Sequence, residues 1–335
     1  MNFSDEGYSF IRGSSFLVTG GTGSFGKTMV KTLLENGAGR VRVFSRDESK
    51  QFDLRSEIES DKLELVIGDV RDVEPLNGVL KDIDYVFHAA ALKHVPPSES
   101  NPLEYIRTNT LGSNNLLRAL IESEVKSAVF LSTDKAVYPI NVMGMTKALM
   151  EKMVRSTSYS GKTISSVTRY GNVIGSRGSV IPYFINQIKK NENVLITDWR
   201  MTRFVMSLDE SVDLVLHAMS NGAHGDLFVR KAPAANLRTI LSSIENLLGK
   251  KSNKIIEKGI RPGEKIHETL LNSEERTFAQ ETPKFFQVKS IASAVSGSLP
   301  KRIDNEFTSD NTENIGVDKL SEILSMNPEV NLLLK

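Results

Sequence analysis

The sequence predicts an α/β fold, a doubly wound parallel sheet with a smaller carboxy-terminal lobe. Three observations carry that prediction: short apolar strands alternating with amphipathic stretches, a glycine triad directly after the first strand, and a change of pattern beyond Gly171. Strands are read at 16–19 (FLVT), 41–45 (VRVFS), 63–69 (LELVIGD), 84–90 (DYVFHAA), 128–133 (AVFLST) and 164–170 (ISSVTRY). Nearly continuous apolar runs of this kind suit strands buried on both faces by helices. Asn36-Gly37 ends the first intervening helix and Glu74-Pro75 opens another. From Pro102 to Glu124, Ile106, Leu111, Leu116, Leu117 and Leu120 recur at roughly helical spacing, which predicts one crossover helix before the fifth strand. Past Gly171 the elements shorten: a helix from Ile181 to Lys190, another from Leu208 to Ser220, a strand at 225–233 returning to the sheet, and an amphipathic helix in GVDKLSEILSMN.

Composition narrows the classes. The chain has 335 residues and 39% hydrophobic content, enough for one large or two moderate domains. Its 42 Lys and Arg nearly cancel 41 Asp and Glu, and no basic block exceeds a pair such as Lys189-Lys190, which argues against a nucleic-acid partner. With no Cys, disulfides, thiolate metal sites and a cysteine nucleophile are excluded. MNFSDEGYSFIRG lacks a basic start and an apolar run, and no apolar window approaches the ~18 residues of a membrane span, so the expectation is a cytoplasmic protein with no membrane partner. His88, His94, His217, His224 and His267 show no metal spacing; no metal is expected, and His267-Glu268 is read as a helix surface pair.

TGGTGSFG, Thr19 to Gly26, lies between a strand and a helix, the context in which a glycine fingerprint has physical meaning. Gly20, Gly23 and Gly26 meet three demands: a sharp turn, backbone close to a pyrophosphate, and tight helix-on-strand packing. Helix-terminal N–H groups then face the anion. A dinucleotide-binding Rossmann domain is therefore predicted at 1–171 and 205–233, with a substrate-binding lobe at 172–204 and 234–335. After the second strand come Ser45 and Arg46, a hydroxyl and a guanidinium suited to a phosphate, which favours NADP. Asp47, one residue on, keeps NAD open. Asp69-Val70 after the third strand is read at the adenine edge, against a plain helix-capping aspartate.

At the end of the fifth strand stands Ser132-Thr133-Asp134-Lys135, where open α/β sheets place their ligands. Lys147 follows in the next helix, and Met143 stands four residues before it.

These stretches, with FSRDE, HAAALKHVP, STDKAVYPIN, TRYGNVIGSRGSVIP and RPGEKIHE, closely resemble the extended short-chain dehydrogenase/reductases, and among them the nucleotide-sugar 4,6-dehydratases that invert carbon 5 of UDP-N-acetylglucosamine. The matching stretches span most of positions 15 to 270. The resemblance implies cofactor contacts at Gly20, Thr22, Gly23, Ser24, Phe25, Gly26, Ser45, Arg46, Asp69, Val70, Ala89, Ala90 and Lys147. It implies substrate contacts at Lys93, Asn172, Arg177, Arg203, Arg261 and Glu264, a UDP-N-acetylhexosamine substrate, and a homo-oligomer, a hexamer being one form. The family's Tyr-x-x-x-Lys pair is Met143-x-x-x-Lys147 here, as in a subgroup of capsule and O-antigen synthesis that works without the tyrosine. Tyr138 is too near the doublet to take that place.

The chemistry explains why these residue types are needed. Oxidising carbon 4 acidifies the carbon-5 proton; a base then removes it while an acid helps the carbon-6 hydroxyl leave. Lys135 is read as the base, its proton affinity depressed by oxidised nicotinamide and other cations nearby, and Asp134 as the acid. Met143 is read as filling the phenol's space, with Lys135, Thr133 or a water taking the carbon-4 hydroxyl proton. Two other readings remain: a UDP-hexose 4-epimerase, and a non-catalytic NADP-sensing protein.

Overall fold

The computed structural model describes residues 8–156, 159, 161–176, 178–290, 303 and 305–335. Strands β1 (Ser15–Thr19), β2 (Arg40–Ser45), β3 (Leu63–Ile67), β4 (Tyr85–His88), β5 (Ser127–Thr133) and β6 (Ile164–Tyr170) run parallel in the order 3-2-1-4-5-6. That order reverses beside β1, and ligands of doubly wound sheets bind outside the carboxyl ends at such a switch point. Three short strands, β7 (Asn172–Val173), β8 (Val194–Ile196) and β9 (Thr202–Met206), lie outside this sheet. The chain then returns as β10 (Leu227–Arg230), parallel to β6, as the sequence predicts. Further on come β11 (Ala234–Asn236), β12 (Ile255–Glu257), β13 (Thr269–Leu271), β14 (Ala279–Glu281), β15 (Phe285–Val288) and β16 (Phe307–Thr308). Of these, β15 and β14 extend the main sheet antiparallel, β11 joins β9 and β7, β12 pairs with β8, and β13 pairs with β16.

Alternation along β1 shows why both sheet faces are apolar. Leu17 packs with Phe44, Val86, Phe130, Leu116 and Met150 on one side; Phe16 and Val18 pack with Met29, Leu33, Val43, Phe87 and Val215 on the other. A third cluster, built on Ile181, Phe184, Ile188, Ile240, Ile244, Leu320 and Leu324, forms apart from the sheet. Trp199 packs at its edge, with the Arg238 guanidinium 4.6 Å from its ring.

The crossover expected as one helix is interrupted. Pro102–Tyr105 passes through a π turn, Ile106–Leu111, into Gly112–Ile121. Apolar spacing alone does not register a π turn, because it shifts the faces by one residue without removing an apolar position. Its effect is visible at Asn109, whose amide donates to Leu92 O (2.9 Å) and Thr146 Oγ1 (3.1 Å) and accepts from Leu92 N (2.8 Å). The segment after β4 and the helix Val142–Val154 are thereby tied to one buried side chain.

A buried ion network joins β6 to the later segments. Arg169, 2% exposed, donates to Glu151 on the helix Val142–Val154, to both carboxylate oxygens of Glu275 (2.8 and 2.9 Å) and to Leu270 O (2.8 Å). Every N–H vector of this guanidinium that the network uses meets an oxygen, which is the condition for tolerating a buried charge.

Candidate active site

The glycine turn is shaped by what it touches. Gly20 has φ +67°, and a Cβ there would lie 2.8 Å from the backbone of Ala90. Only glycine suits both the left-handed backbone and the close approach of β1 to β4. Gly23 is the N-cap of the helix Ser24–Glu35 and supplies no side-chain cap, so the first N–H groups of that helix remain for an anion. Ala89 and Ala90 are held by Thr19, through Ala89 N to Thr19 O (3.1 Å) and Ala90 N to Thr19 Oγ1 (3.3 Å). Phe25 stacks near Tyr170, ring centroids 6.4 Å apart, and Ser24 O accepts from Thr28 Oγ1 at 3.1 Å. Gly20→Ala is expected to weaken dinucleotide binding at least tenfold by forcing the turn away from Ala90, checked by titrating the cofactor against intrinsic fluorescence.

At the end of β2, Thr22 and Ser45 share a hydroxyl hydrogen bond of 3.0 Å. Arg46 is half exposed, 3.4 Å from Asp69. Asp47, the residue that kept NAD open, caps the helix Glu48–Glu57 by accepting from Lys50 N at 3.0 Å. Asp69 is no helix cap. Its carboxylate accepts from Arg71 N (3.0 Å) and Nε (2.8 Å); burial pushes its proton affinity up, but the Arg71 and Arg46 contacts outweigh that and hold it below the usual range. The Val70 side chain is buried in the core against Gly112.

The doublet sits where expected, at the carboxyl end of β5. Asp134 is fully buried, and its Oδ1 accepts from Thr133 Oγ1 and from Lys135 Nζ, both at 2.9 Å. The Lys135 amine also lies 3.4 Å from Glu268 Oε1. The helix Val142–Val154 begins directly against this turn: a Cβ on Gly144 would overlap the Lys135 carbonyl oxygen. Met143 is 3% exposed in the first turn, and Lys147, one turn on, donates to Leu131 O at 2.7 Å. Burial brings the Lys147 amine down to about 8, against the opposing pull of Glu151.

Among the protein's own groups, burial acts to lower the Lys135 proton affinity, but the Asp134 and Glu268 carboxylates outweigh burial and hold it above the ordinary lysine range. One expected pairing is corrected. His267-Glu268 is no surface pair on a helix. Glu268 lies in the irregular stretch entering β13 with its side chain 3% exposed, and His267 Nδ1 shares a 2.8 Å hydrogen bond with Thr202. The two carboxylates differ. Burial and Glu268 raise Asp134, despite Lys135; burial acts upward on Glu268 too, but Lys135, Arg203 and Lys265 bring it below the usual range.

The residues read as substrate contacts divide. Arg203 is turned inward, donating to Thr202 O (2.7 Å), Lys265 O (3.0 Å) and Ile266 O (3.1 Å). Asn172 stands just past β6, its Oδ1 buried without a partner among the described residues. Lys93 is exposed before the helix Val95–Ser100; Arg261 and Glu264 form a loose pair, 3.9 Å apart, on an exposed turn. Arg177 lies outside the described residues. Residues missed from sequence form a buried chain. Thr19 Oγ1 meets His88 Nδ1 (2.8 Å), His88 Nε2 meets Ser113 Oγ (2.9 Å), and Ser113 Oγ donates to Asn109 O (2.8 Å). Burial and the Lys147 charge keep His88 neutral, down at about 3. No local pattern announces this chain, because its members come from three separate stretches: β1, β4 and the crossover that carries Asn109 and Ser113.

A glycine cradle at the switch point and an acid-amine pair at the next carboxyl edge are joined by a match over residues 16–290 to the profile described as "Polysaccharide biosynthesis protein". The chain belongs to the polysaccharide biosynthesis protein family. A family relative from Rickettsia bellii (strain OSU 85-389), named UDP-glucose 4-epimerase, is 44% identical over 324 residues, covering 92% of this chain and 95% of its own. Among solved structures, Pen from Bacillus thuringiensis superposes with a TM-score of 0.88 at 35% identity, covering 97% of this chain and 100% of its own. The UDP-glucose 4-epimerase of Thermotoga maritima, solved with UDP-glucose, gives a TM-score of 0.67 at 25% identity over 74% of this chain and 87% of its own. This polysaccharide biosynthesis family member thus has the extended short-chain dehydrogenase/reductase fold.

Proposed function

We propose that the chain is a nicotinamide-dependent UDP-N-acetylglucosamine 4,6-dehydratase that inverts carbon 5. The observation that carries the reading is the buried Asp134-Lys135 contact at the carboxyl end of β5, facing a helix that presents Met143 and Lys147. The uncapped helix start at Gly23, which leaves N–H groups for a pyrophosphate, supports a dinucleotide in the cradle, and Gly20 sets the tight turn that leads into it. Bound there, the nicotinamide supplies reversible oxidation at carbon 4 and returns the electrons at carbon 6.

The chain's own residues do the rest. Passing one proton from Lys135 Nζ to Asp134 Oδ1, across 2.9 Å, arms both groups at once: the amine becomes a base and the carboxyl an acid. Lys135 then takes the carbon-5 proton and Asp134 gives its proton to the carbon-6 hydroxyl, which leaves as water. Both groups finish as ammonium and carboxylate, as they began. The proton that leaves the carbon-4 hydroxyl passes through Thr133 or a water. It is balanced by one proton added to carbon 5 from the opposite face as the electrons return to carbon 6, which gives the inverted configuration. The raised proton affinity of Asp134 suits the acid role. Lys93, Asn172, Arg261 and Glu264 are left to hold the nucleotide and sugar, with Arg203 fixing the lobe beneath them.

For the cofactor, Arg46 is half exposed at the β2 edge while Asp47 is engaged as a cap, which favours NADP over NAD. Arg46→Ala is expected to lower NADP affinity about tenfold or more and to leave NAD affinity within twofold, a ratio read by calorimetric titration of each. A ratio unchanged from the native protein would refute this preference.

Relatives named UDP-glucose 4-epimerase favour a second reading, in which the 4-keto sugar turns and is reduced again at carbon 4. Mass spectrometry of the product from UDP-N-acetylglucosamine separates the two. Loss of one water supports dehydration; an unchanged mass with a new configuration supports epimerisation; an unchanged sugar sinks both.

A further inference from the structure

Glu268 is supplied by a stretch remote in sequence from the doublet, and its place is set with care. Its N–H donates to Ser309 Oγ (2.9 Å) and its carbonyl accepts from Ser309 N (2.8 Å), so the turn after β16 clamps the backbone on both sides. Directly beyond it, β13 pairs with β16, and the Leu270 carbonyl is held by Arg169. From that base the buried side chain places Oε1 3.4 Å from Lys135 Nζ and 3.9 Å from Arg203 Nε. Oε2 has no hydrogen-bond partner among the described residues, and neither has Asp134 Oδ2. Two buried carboxylates therefore bracket one amine, and each keeps a free oxygen. Buried acceptors left without a donor are the kind of group a polar ligand satisfies.

We propose that Glu268 is a positioning residue: it holds the Lys135 amine against Asp134 and supplies a fixed negative charge that Asp134, which exchanges the proton, cannot supply. The inference rests on Lys135 being the acting amine, as proposed above. The charged groups acting on this amine are Asp134 beside it, Glu268 from the β13 entry and Arg203 from β9, while Lys265 acts on Glu268. The cations explain the division of labour. Arg203 is locked to three backbone carbonyls with its Nε 3.9 Å from Glu268, and Lys265, held by Val137 O, adds a second positive field, so Glu268 stays ionised when Asp134 takes a proton. Pairs whose surroundings push their proton affinities apart are the arrangement in which one acts and the other balances charge.

The test reads Lys135 itself. In protein carrying ¹³Cε-lysine, the Lys135 signal is assigned by its loss in Lys135→Arg and followed through a pH titration. In Glu268→Gln its midpoint is expected to fall by about one unit or more, the shift produced by removing an opposite charge at this range. In turnover of UDP-N-acetylglucosamine, the same variant should lower kcat far more than it changes KM, and the limb of the pH profile set by Lys135 should move down by the same amount. A Lys135 titration identical to that of the native protein overturns the proposal. If the glutamine variant does not fold, Glu268→Asp keeps the charge but withdraws it by one methylene; its Lys135 midpoint should also fall, and an unmoved one is equally fatal. Native protein that removes no water sinks the dehydratase reading and leaves the titration to decide the role of Glu268.

Discussion

Lys135→Ala is expected to abolish exchange of the carbon-5 proton with solvent and to slow water loss from UDP-N-acetylglucosamine by about 10²–10⁴-fold, the usual weight of a positioned proton-transfer group. Dinucleotide binding should survive, because the cradle between β1 and β2 shares no side chain with the doublet. The amine is also the shared partner of Asp134 and Glu268, so its loss leaves two buried carboxylates to repel each other. One of them then binds a proton, which removes the acid-base asymmetry as well as the base. Deuterium entering carbon 5 from heavy water, followed by mass spectrometry, is the direct measure. Exchange at the native rate in a folded Lys135→Ala protein removes this residue from the mechanism.

Arg169→Met carries the largest expected cost in stability, about 3–5 kcal/mol, because it strips a buried pair of carboxylates of their cation. Methionine retains much of the volume, so the loss reports charge and hydrogen bonding more than a cavity. The effect has a pH signature. Burial pushes the Glu275 carboxyl up, but Arg169 more than offsets this and holds it below its ordinary value. A depressed carboxyl contributes stability that is full above its unfolded value of about 4.3 and is lost as pH falls through the lower folded value. The gap between native and variant proteins in urea unfolding should therefore be full near neutrality and narrow below about pH 4. A gap under about 1 kcal/mol at pH 7 would show the network to be only an exposed-type pairing. Because Arg169 also holds Leu270 O, two residues past Glu268, the variant should lose activity at temperatures where it is still folded.

Legibility followed the range of the interaction. The Gly20-to-Gly26 turn, the six parallel strands and the returning strand Leu227–Arg230 depend on local geometry and on apolar alternation, and both are written into neighbouring residues. The helix Val317–Ser325 was equally open, through its apolar face of Leu320 and Leu324. The π turn at Ile106–Leu111 was not, since it is chosen by the contacts of Asn109 with Leu92 and Thr146. Glu268 looked like a surface acid because its neighbours in sequence, His267 and Thr269, say nothing of Lys135. The inward turn of Arg203 has the same cause: its acceptors are carbonyls of a distant loop.

By itself, then, the sequence determined a doubly wound sheet, a phosphate cradle after its first strand, and an aspartate and a lysine at the end of its fifth. Tertiary structure alone decided the electrostatic surroundings of that lysine, by setting Glu268 against it from a segment pinned at Ser309 and Arg169. The physical reason is that backbone geometry is governed by adjacent residues, whereas proton affinity depends on burial and on every charge within a few ångströms, wherever in the chain those charges originate.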